Sequence, residues 1–339
     1  MLHLKSECGG IRKRMLRDVL GVMILTSGAV LAVMLLFGRA TKEELLRAIL
    51  SRTAETARDQ IERFFDPLNR NLEVVCEWGK AGLLRLGDVD SLNAKFMPAL
   101  ERLPDISALI LARSDGAEYL LLREEGGWLT RSIRVAEGAG RRIVFRRWLN
   151  ARQPLGEQWE EEIGYDPRRR PWYQKAMESG QEGKISWSEA YEFFSTKKLG
   201  WTGSIRWSAS GDDARVYVGA FDVEAESIIR VLGRLPVSER GRAFIVGRPG
   251  RGLLASPGSA DRGGAEEGQD FEMGETENGV IAEAVKLLSV SRDNMLREPH
   301  KFSFGKETWW VGFNELAAAG RTVLIGVLVP ERDLIGGFW

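Results

Sequence analysis

Two histidines, His3 and His300, and two cysteines, Cys8 and Cys76, are all that 339 residues offer of imidazole and thiol. Zinc sites, Ser-His-Asp triads and Cys-His dyads need more of these groups, placed together. The run Glu160-Glu161-Glu162 supplies carboxylates, and paired carboxylates can cleave glycosides. Adjacent positions point in different directions, so the run reads as surface charge. Arg248-Pro249-Gly250-Arg251-Gly252 lacks the spacing of a phosphate-binding loop. No catalytic set, metal site or cofactor is expected. What the chain does concentrate is aromatic surface. It has 11 Trp, of which Trp148, Trp159, Trp172, Trp187, Trp201 and Trp207 fall within residues 148–207. Rigid aromatic rings fill cores and also line small-molecule pockets.

Within that stretch lies Tyr165-Asp166-Pro167-Arg168-Arg169-Arg170-Pro171-Trp172-Tyr173. Trp172 and Tyr173 suit a core as well as a pocket wall. Of the three arginines, a solvated basic turn would leave Arg170 alone facing inward. Asp222 ends the apolar segment 216–223 and, as a preferred N-cap type, suits both ligand contact and the start of a helix near Glu224. Tyr191 and Phe193 alternate with Glu192, as on an edge strand with one buried face. Cys76 has no histidine near it and reads as a buried thiol.

These side chains need a scaffold, and the chain supplies one in a recognisable order. Lys and Arg total 48 and so do Asp and Glu, a balance that argues against nucleic acid as a partner. Residues 19–38 carry no charge over 20 positions, the length of a membrane-spanning helix. Lys5, Arg12, Lys13, Arg14 and Arg17 precede them, which places residues 1–18 in the cytoplasm and everything after the span outside. The apolar core is long for a cleaved signal peptide. Residues 41–78 read as one long stalk helix: Leu46, Ile49, Thr53, Ala57, Ile61, Phe64, Leu68, Leu72 and Val75 step by three or four. Thr41 to Glu44 would fit a capping box if the helix restarts there, and Pro67 should bend it. A hairpin is expected over residues 106–123 and a third strand over 128–135. Residues 140–160 read as partly helical. A second hairpin is expected over 201–223, with a helix over 224–232. A smaller set follows: strands over 243–247 and 253–256, a helix over 279–290, a hairpin over 301–313 and a last strand over 322–329. Strands joined mainly by hairpins make an α+β fold with antiparallel sheets. The two sets share a layout without a residue-level repeat.

The Y-D-P-R-R-R-P-W-Y-Q-K-A segment at 165–176 is followed by W-S-E-A-Y (187–191), V-Y-V-G-A-F-D-V (216–223) and G-V-L-V-P-E-R-D-L (326–334). In this order, after a membrane span and a long helix, residues 41–335 resemble the double-Cache family of extracytoplasmic sensors found on bacterial chemoreceptors, histidine kinases and cyclases. The resemblance implies two tandem PAS-like antiparallel-sheet modules on one long helix: a membrane-distal, ligand-binding module over 79–235 and a membrane-proximal module over 238–335. Tyr165, Arg170, Trp172, Tyr173 and Ala176 match the family spacing Y-x4-R-x-W-Y-x2-A, associated there with amino-acid binding. Tyr191 matches a pocket tyrosine, and Asp222 the acid that receives the ligand ammonium. A guanidinium suits a ligand carboxylate, because it gives two parallel charge-assisted hydrogen bonds. One position departs from the pattern: Phe193 stands where amino-acid binders usually carry a second acid.

The resemblance therefore implies a sensor of the inner membrane, its sensing part periplasmic or extracellular. Its expected partners are a small amino acid, organic acid or amine, the membrane, and a second copy through the stalk helix. The alternative is a structural dimerisation or docking module with no small ligand. The chain stops at Trp339, about where a second membrane helix would begin, so it reads as the fragment of a receptor whose output domain lies elsewhere.

Overall fold

The computed structural model describes residues 4–136, 140–161, 163–209, 215–235, 237–246, 253–255, 275–318 and 321–336. Helix α1 (Leu4–Lys80) runs without a restart at Thr41 and continues through Pro67, so the expected capping box is not used. From Leu46 onward one stripe of α1 is buried: Leu46, Leu50, Ala54, Ala57, Ile61, Phe64, Leu68, Leu72, Val75 and Cys76. Leu50 and Ala54 take the inward places that the spacing had assigned to Ile49 and Thr53, which are half-buried. Nearer the N-terminus, Leu20, Val22, Met23, Ile24, Leu25, Leu31, Val33 and Met34 have nothing covering them. Several side chains of the span expected at 19–38 lie outside the described residues, and among the described residues no helix is long and apolar enough to cross a membrane.

After α1 comes α2 (Val89–Glu101), which the sequence reading had not assigned. Asp88 caps it by accepting the Ser91 N–H, and Leu92, Phe96, Met97 and Leu100 form its buried stripe. Strands β1 (Ala108–Arg113), β2 (Glu118–Glu124) and β3 (Gly127–Ala136) then meander antiparallel. The β1–β2 turn has Gly116 at φ 92°, a backbone conformation that glycine adopts without strain. Residues 140–160 are not helical. They form β4 (Gly140–Asn150) and β5 (Gln153–Glu160), whose alternation of Ile143 and Phe145 with outward arginines becomes plain only once β4 pairs with β3.

A 3-10 turn at Pro167–Arg169 and helix α3 (Pro171–Glu178) follow, then the short strands β6 (Ser186–Trp187) and β7 (Tyr191–Glu192). Next come the long pair β8 (Leu199–Ser208) and β9 (Val216–Glu224), and helix α4 (Ala225–Gly233). The turn expected at Ser210-Gly211-Asp212 and the closing Pro236 lie outside the described residues. Among the described residues the sheet order is β5-β4-β3-β2-β1-β9-β8-β6, with β7 added to β8.

A second antiparallel sheet follows: β10 (Arg242–Val246), β11 (Leu253–Ala255), then helices α5 (Glu275–Val290) and α6 (Arg292–Met295), then β12 (His300–Phe304), β13 (Glu307–Ala318), β14 (Arg321–Pro330) and helix α7 (Glu331–Gly336). Its order is β11-β10-β14-β13-β12. Both sheets therefore share one nucleus. The first strand lies between its hairpin partner and the last strand, the last strand pairs with the one before it, and a helix follows. The two-module layout holds at the level of topology. Asp333 of α7 accepts from the Ser238 hydroxyl and the Arg240 guanidinium, which ties the linker between the sheets to the last helix.

The first sheet has two buried faces. Leu109, Leu111, Leu121, Ile205, Phe221 and Val223 pack on the α1 stripe and α2. Gly219 faces that helix, and a Cβ there would lie 2.9 Å from Val75 Cγ1, so glycine permits the close approach. The opposite face carries Ala108, Ile110, Ala112, Leu120, Leu122, Val218 and Ala220, and α3 lies on it.

Candidate functional site

The Asp166–Trp172 run folds as its prolines dictate. Pro167 opens the 3-10 turn, with the Asp166 carboxylate capping it by accepting the Arg168 N–H. Pro171 opens α3, and Arg170 between them is held extended at φ −83°, ψ 147°, as the residue before a proline should be. The three arginines then separate. Arg168 bonds back to Asp166 at 2.8 Å, Arg169 is exposed, and Arg170 is half-buried, as expected. Arg170 Nη2 donates to the Glu192 carbonyl at 3.1 Å, and its guanidinium lies 5.4 Å from the Tyr191 ring centre. One turn into α3, Trp172, Tyr173 and Ala176 face the sheet and are buried among its alanines. The Ser204 hydroxyl donates to the Trp172 carbonyl at 3.0 Å and pins α3 to β8.

Asp222 does not cap a helix. Glu224 holds the N-cap position of α4 without a side-chain bond, while Asp222 sits in β9 opposite Thr202 and Ala108. The Thr202 hydroxyl donates to Asp222 Oδ1 at 2.5 Å and lies 2.6 Å from the Tyr191 hydroxyl. With its single proton given to Asp222, Thr202 accepts from Tyr191. Thr202 is itself fixed, since its backbone N–H donates to Ser188 Oγ at 3.0 Å. Tyr191 thus joins Asp222 on one side to Arg170 on the other. Burial pushes the Asp222 carboxyl up to about 7, against the pull of the Thr202 hydroxyl, Arg131 and Arg170.

Tyr165 belongs to a second cluster. Its hydroxyl donates to Glu118 Oε2 at 2.7 Å, and Glu118 Oε1 accepts from Arg131 Nε at 2.8 Å and Nη2 at 2.7 Å. The Arg131 guanidinium stacks 4.0 Å from the Tyr165 ring centre and donates from Nη1 to Ser195 Oγ at 3.1 Å. The side chains of Arg131 and Glu118 are 2% and 0% exposed. Phe194 bridges the two clusters, with its ring 4.8 Å from Tyr165 and 5.9 Å from the Arg170 guanidinium. Of the six residues named from the sequence, Tyr165, Arg170, Trp172, Tyr191 and Asp222 meet over this face. Tyr173 stands toward its edge: after burial, which raises its hydroxyl, the charges acting on it are Arg168, Asp115 and Asp166. Phe193, in place of the second acid, is buried with its ring against Gly200.

Glu118, Arg131, Thr202 and Ser195 escaped the sequence reading. The available signal was parity. Glu118 is in phase with inward Leu120 and Leu122 along β2, and Arg131 is in phase with inward Ile133 along β3. A charge on the buried phase of a strand stands out once the strands are set. Among the described residues every buried polar or charged side chain lies between Asn93 and Ser227, which includes the whole of this cluster. The described core of the second sheet is apolar. Two surface cavities lie elsewhere: one of about 440 Å³ beside Trp128 and Arg147, and one of about 560 Å³ beside Gly79 and Trp207. Neither contains a buried charge, so the Asp222 face is the stronger candidate. Among the described residues no group of three or more His, Cys, Asp or Glu is placed to hold a metal ion.

No family model matches the sequence. Solved structures do match the fold. The ligand-binding domain of the Campylobacter jejuni chemoreceptor Tlp3 in complex with L-valine superposes with a TM-score of 0.55, at 11% identity, over 88% of this chain and 98% of that one. The ligand-binding domain of the Pseudomonas aeruginosa PAO1 amino-acid chemoreceptor PctB with L-Arg gives 0.53 at 15% identity, over 85% and 96%. The ligand-binding domain of Pseudomonas fluorescens CtaA with L-serine gives 0.54 at 17% identity, over 85% and 99%. What is shared at such identities is the fold. The chain has the double-Cache architecture that the sequence resemblance implied.

Proposed function

We propose that this chain is the extracytoplasmic sensing part of a bacterial signal-transduction receptor, and that its first sheet binds an amino acid or a related amine or carboxylate. The observation that carries this reading is Asp222: a carboxylate 7% exposed, held by the Thr202 hydroxyl, which Tyr191 in turn bonds, with the Arg170 guanidinium across the Tyr191 ring. A buried carboxylate with only a hydroxyl partner is costly unless a cation arrives. An ammonium group supplies that cation, and Arg170 suits the accompanying carboxylate. Trp172, buried on the same face with Ala108 and Ala220, supplies apolar surface beside them. The chemoreceptor domains of like fold carry valine, arginine or serine, which supports the same ligand class here.

In this reading residues 19–38 cross the inner membrane with the N-terminus in the cytoplasm. The uncovered apolar side chains of Leu20, Val22, Met23, Ile24, Leu25, Val30, Leu31, Val33 and Met34 favour that placement. The stalk part of α1 packs on both sheets through one stripe, so closure of the site around a ligand can shift the helix that leads to the membrane. The other face of the stalk is where a second copy would pair. Ligand drives such a shift only by the difference in its affinity for the two states.

The test is a thermal-shift and calorimetric screen of the full chain in lipid nanodiscs against amino acids, organic acids, amines and purines. Ligand at about a hundredfold its Kd stabilises by roughly 2.7 kcal/mol. A hit abolished by Arg170→Ala and by Asp222→Asn supports the reading. A hit untouched by both removes the site assignment, and the absence of any hit favours a docking module instead.

A further inference from the structure

The Glu118–Arg131 pair lies on the same buried face of the sheet as Asp222 and Thr202. Other residues of that face, Ile110, Ala112, Leu120, Leu122, Val218 and Ala220, are apolar. Filling a core does not require such a pair, since well-packed apolar side chains of similar volume serve stability as well or better. The pair is also held with more care than packing demands. Both Glu118 oxygens are taken, Oε1 by Arg131 and Oε2 by Tyr165, so the carboxylate has no free face toward a ligand. Arg131 is different. Its guanidinium carries five N–H donors, of which Glu118 and Ser195 use three, leaving two without an acceptor among the described residues. Its guanidinium lies 4.0 Å from the Tyr165 ring centre. It faces the same Phe194 ring as Arg170, each guanidinium 5.9 Å from the ring centre, and its charge favours the ionised form of Asp222 more than that of Arg170 does.

We infer that Arg131, oriented by Glu118 and Tyr165, is a specificity-determining residue of this site, and that it selects an amino compound carrying a hydrogen-bond acceptor, a carboxylate or carboxamide, at the end remote from its ammonium group. The inference rests on the amino-compound reading above. Three groups then divide the ligand: Asp222 takes the ammonium, Arg170 the adjacent carboxylate, and Arg131 the far acceptor. A ligand with an aliphatic end would leave the spare Arg131 donors desolvated and unmet, which is how a site built for hydrogen bonding rejects an apolar analogue.

The experiment compares L-glutamate and L-glutamine with L-norvaline, of similar chain length, by calorimetry on the full chain in nanodiscs. The wild-type protein is expected to bind one or both of the first two at least tenfold tighter than norvaline. Replacing the pair together, Glu118→Leu with Arg131→Met, should erase or reverse that ratio with a thermal midpoint close to wild type. Arg131→Lys, which keeps the charge and loses the fork, should retain part of it. Asp222→Asn should lose all three ligands. Equal wild-type affinity for norvaline, or a ratio unchanged in the double replacement, overturns the role of Arg131 and leaves the sensor reading standing. The wild-type ratio alone decides even where the double replacement fails to fold. If no amino compound binds the wild-type protein, the sensor reading fails and takes this inference with it.

Discussion

Asp222 is buried with one hydroxyl donor, and the cost of that arrangement can be measured as a dependence on pH. Its carboxyl is held at about 7 in the folded protein against an ordinary 3.8. At 1.36 kcal/mol per pH unit the difference corresponds to on the order of 4 kcal/mol. The sign follows from the protons bound. Below the unfolded value both states hold the proton and nothing is lost. Between about 4 and 7 the folded protein keeps the proton and the unfolded chain releases it, so stability falls as pH rises. Above 7 the carboxylate is charged in both states and the deficit is complete. Asp222→Asn cannot ionise, and its amide oxygen can still accept from Thr202. The unliganded variant should therefore melt above wild type by little more than a third as much at pH 5, where roughly 1.6 kcal/mol of the deficit is present, as at pH 8, where all of it is. A gain of this order raises the midpoint by roughly six degrees at pH 8 for a chain of this size. Melting curves at the two pH values, followed by tryptophan fluorescence, test this. A midpoint difference that is the same at pH 5 and pH 8 would refute the burial argument. The same reasoning applies to binding. An ammonium ligand stabilises the charged form, so below pH 7 it must displace a proton, and affinity should weaken about tenfold per pH unit on further acidification. Calorimetric enthalpies that do not vary with the ionisation enthalpy of the buffer at pH 6 would contradict that.

Three further outcomes are expected. Trp172→Ala, at a side chain 1% exposed over Ala108 and Ala220, should cost about 3–5 kcal/mol in denaturant unfolding and abolish ligand binding. Glu118→Leu alone strands the Arg131 charge in the interior and should cost about 3–5 kcal/mol, whereas the paired replacement with Arg131→Met should be near neutral. Equal losses for the single and paired variants would mean that the ion pair is not what matters. Gly200→Ala places a Cβ against the Phe193 ring and the Val223 carbonyl. It should cost about 1–3 kcal/mol and weaken ligand affinity by displacing the 191–198 segment over the site.

Some errors of the sequence reading have specific causes. Residues 140–160 read as partly helical because four arginines, Arg141, Arg142, Arg146 and Arg147, mask a period of two that only pairing with β3 makes visible. Helix α2 has a good cap and the buried series Leu92, Phe96 and Leu100, but Pro98 sits inside it and packing decided in its favour. Asp222 suited a helix cap by type and place. It is instead a strand residue, because β9 extends two residues further than the cap geometry allows and Thr202 on β8 supplies its partner.

What the sequence determined by itself is local in origin. The stripe of α1, the glycine turn between β1 and β2, and the proline-punctuated path from Asp166 to Trp172 depend on neighbours within a turn or two. Tyr165, Arg170 and Trp172 were singled out by the resemblance to the double-Cache spacing, not by local physics. The tertiary structure decided which charges meet. Arg131 finds Glu118 across a strand pair, 13 residues away, and Asp222 finds Thr202 at 20. Tyr165 reaches Glu118 across 47 residues. Such meetings depend on strand register and on which face each side chain takes. A slip of one residue would turn the same charges to the opposite side of the sheet.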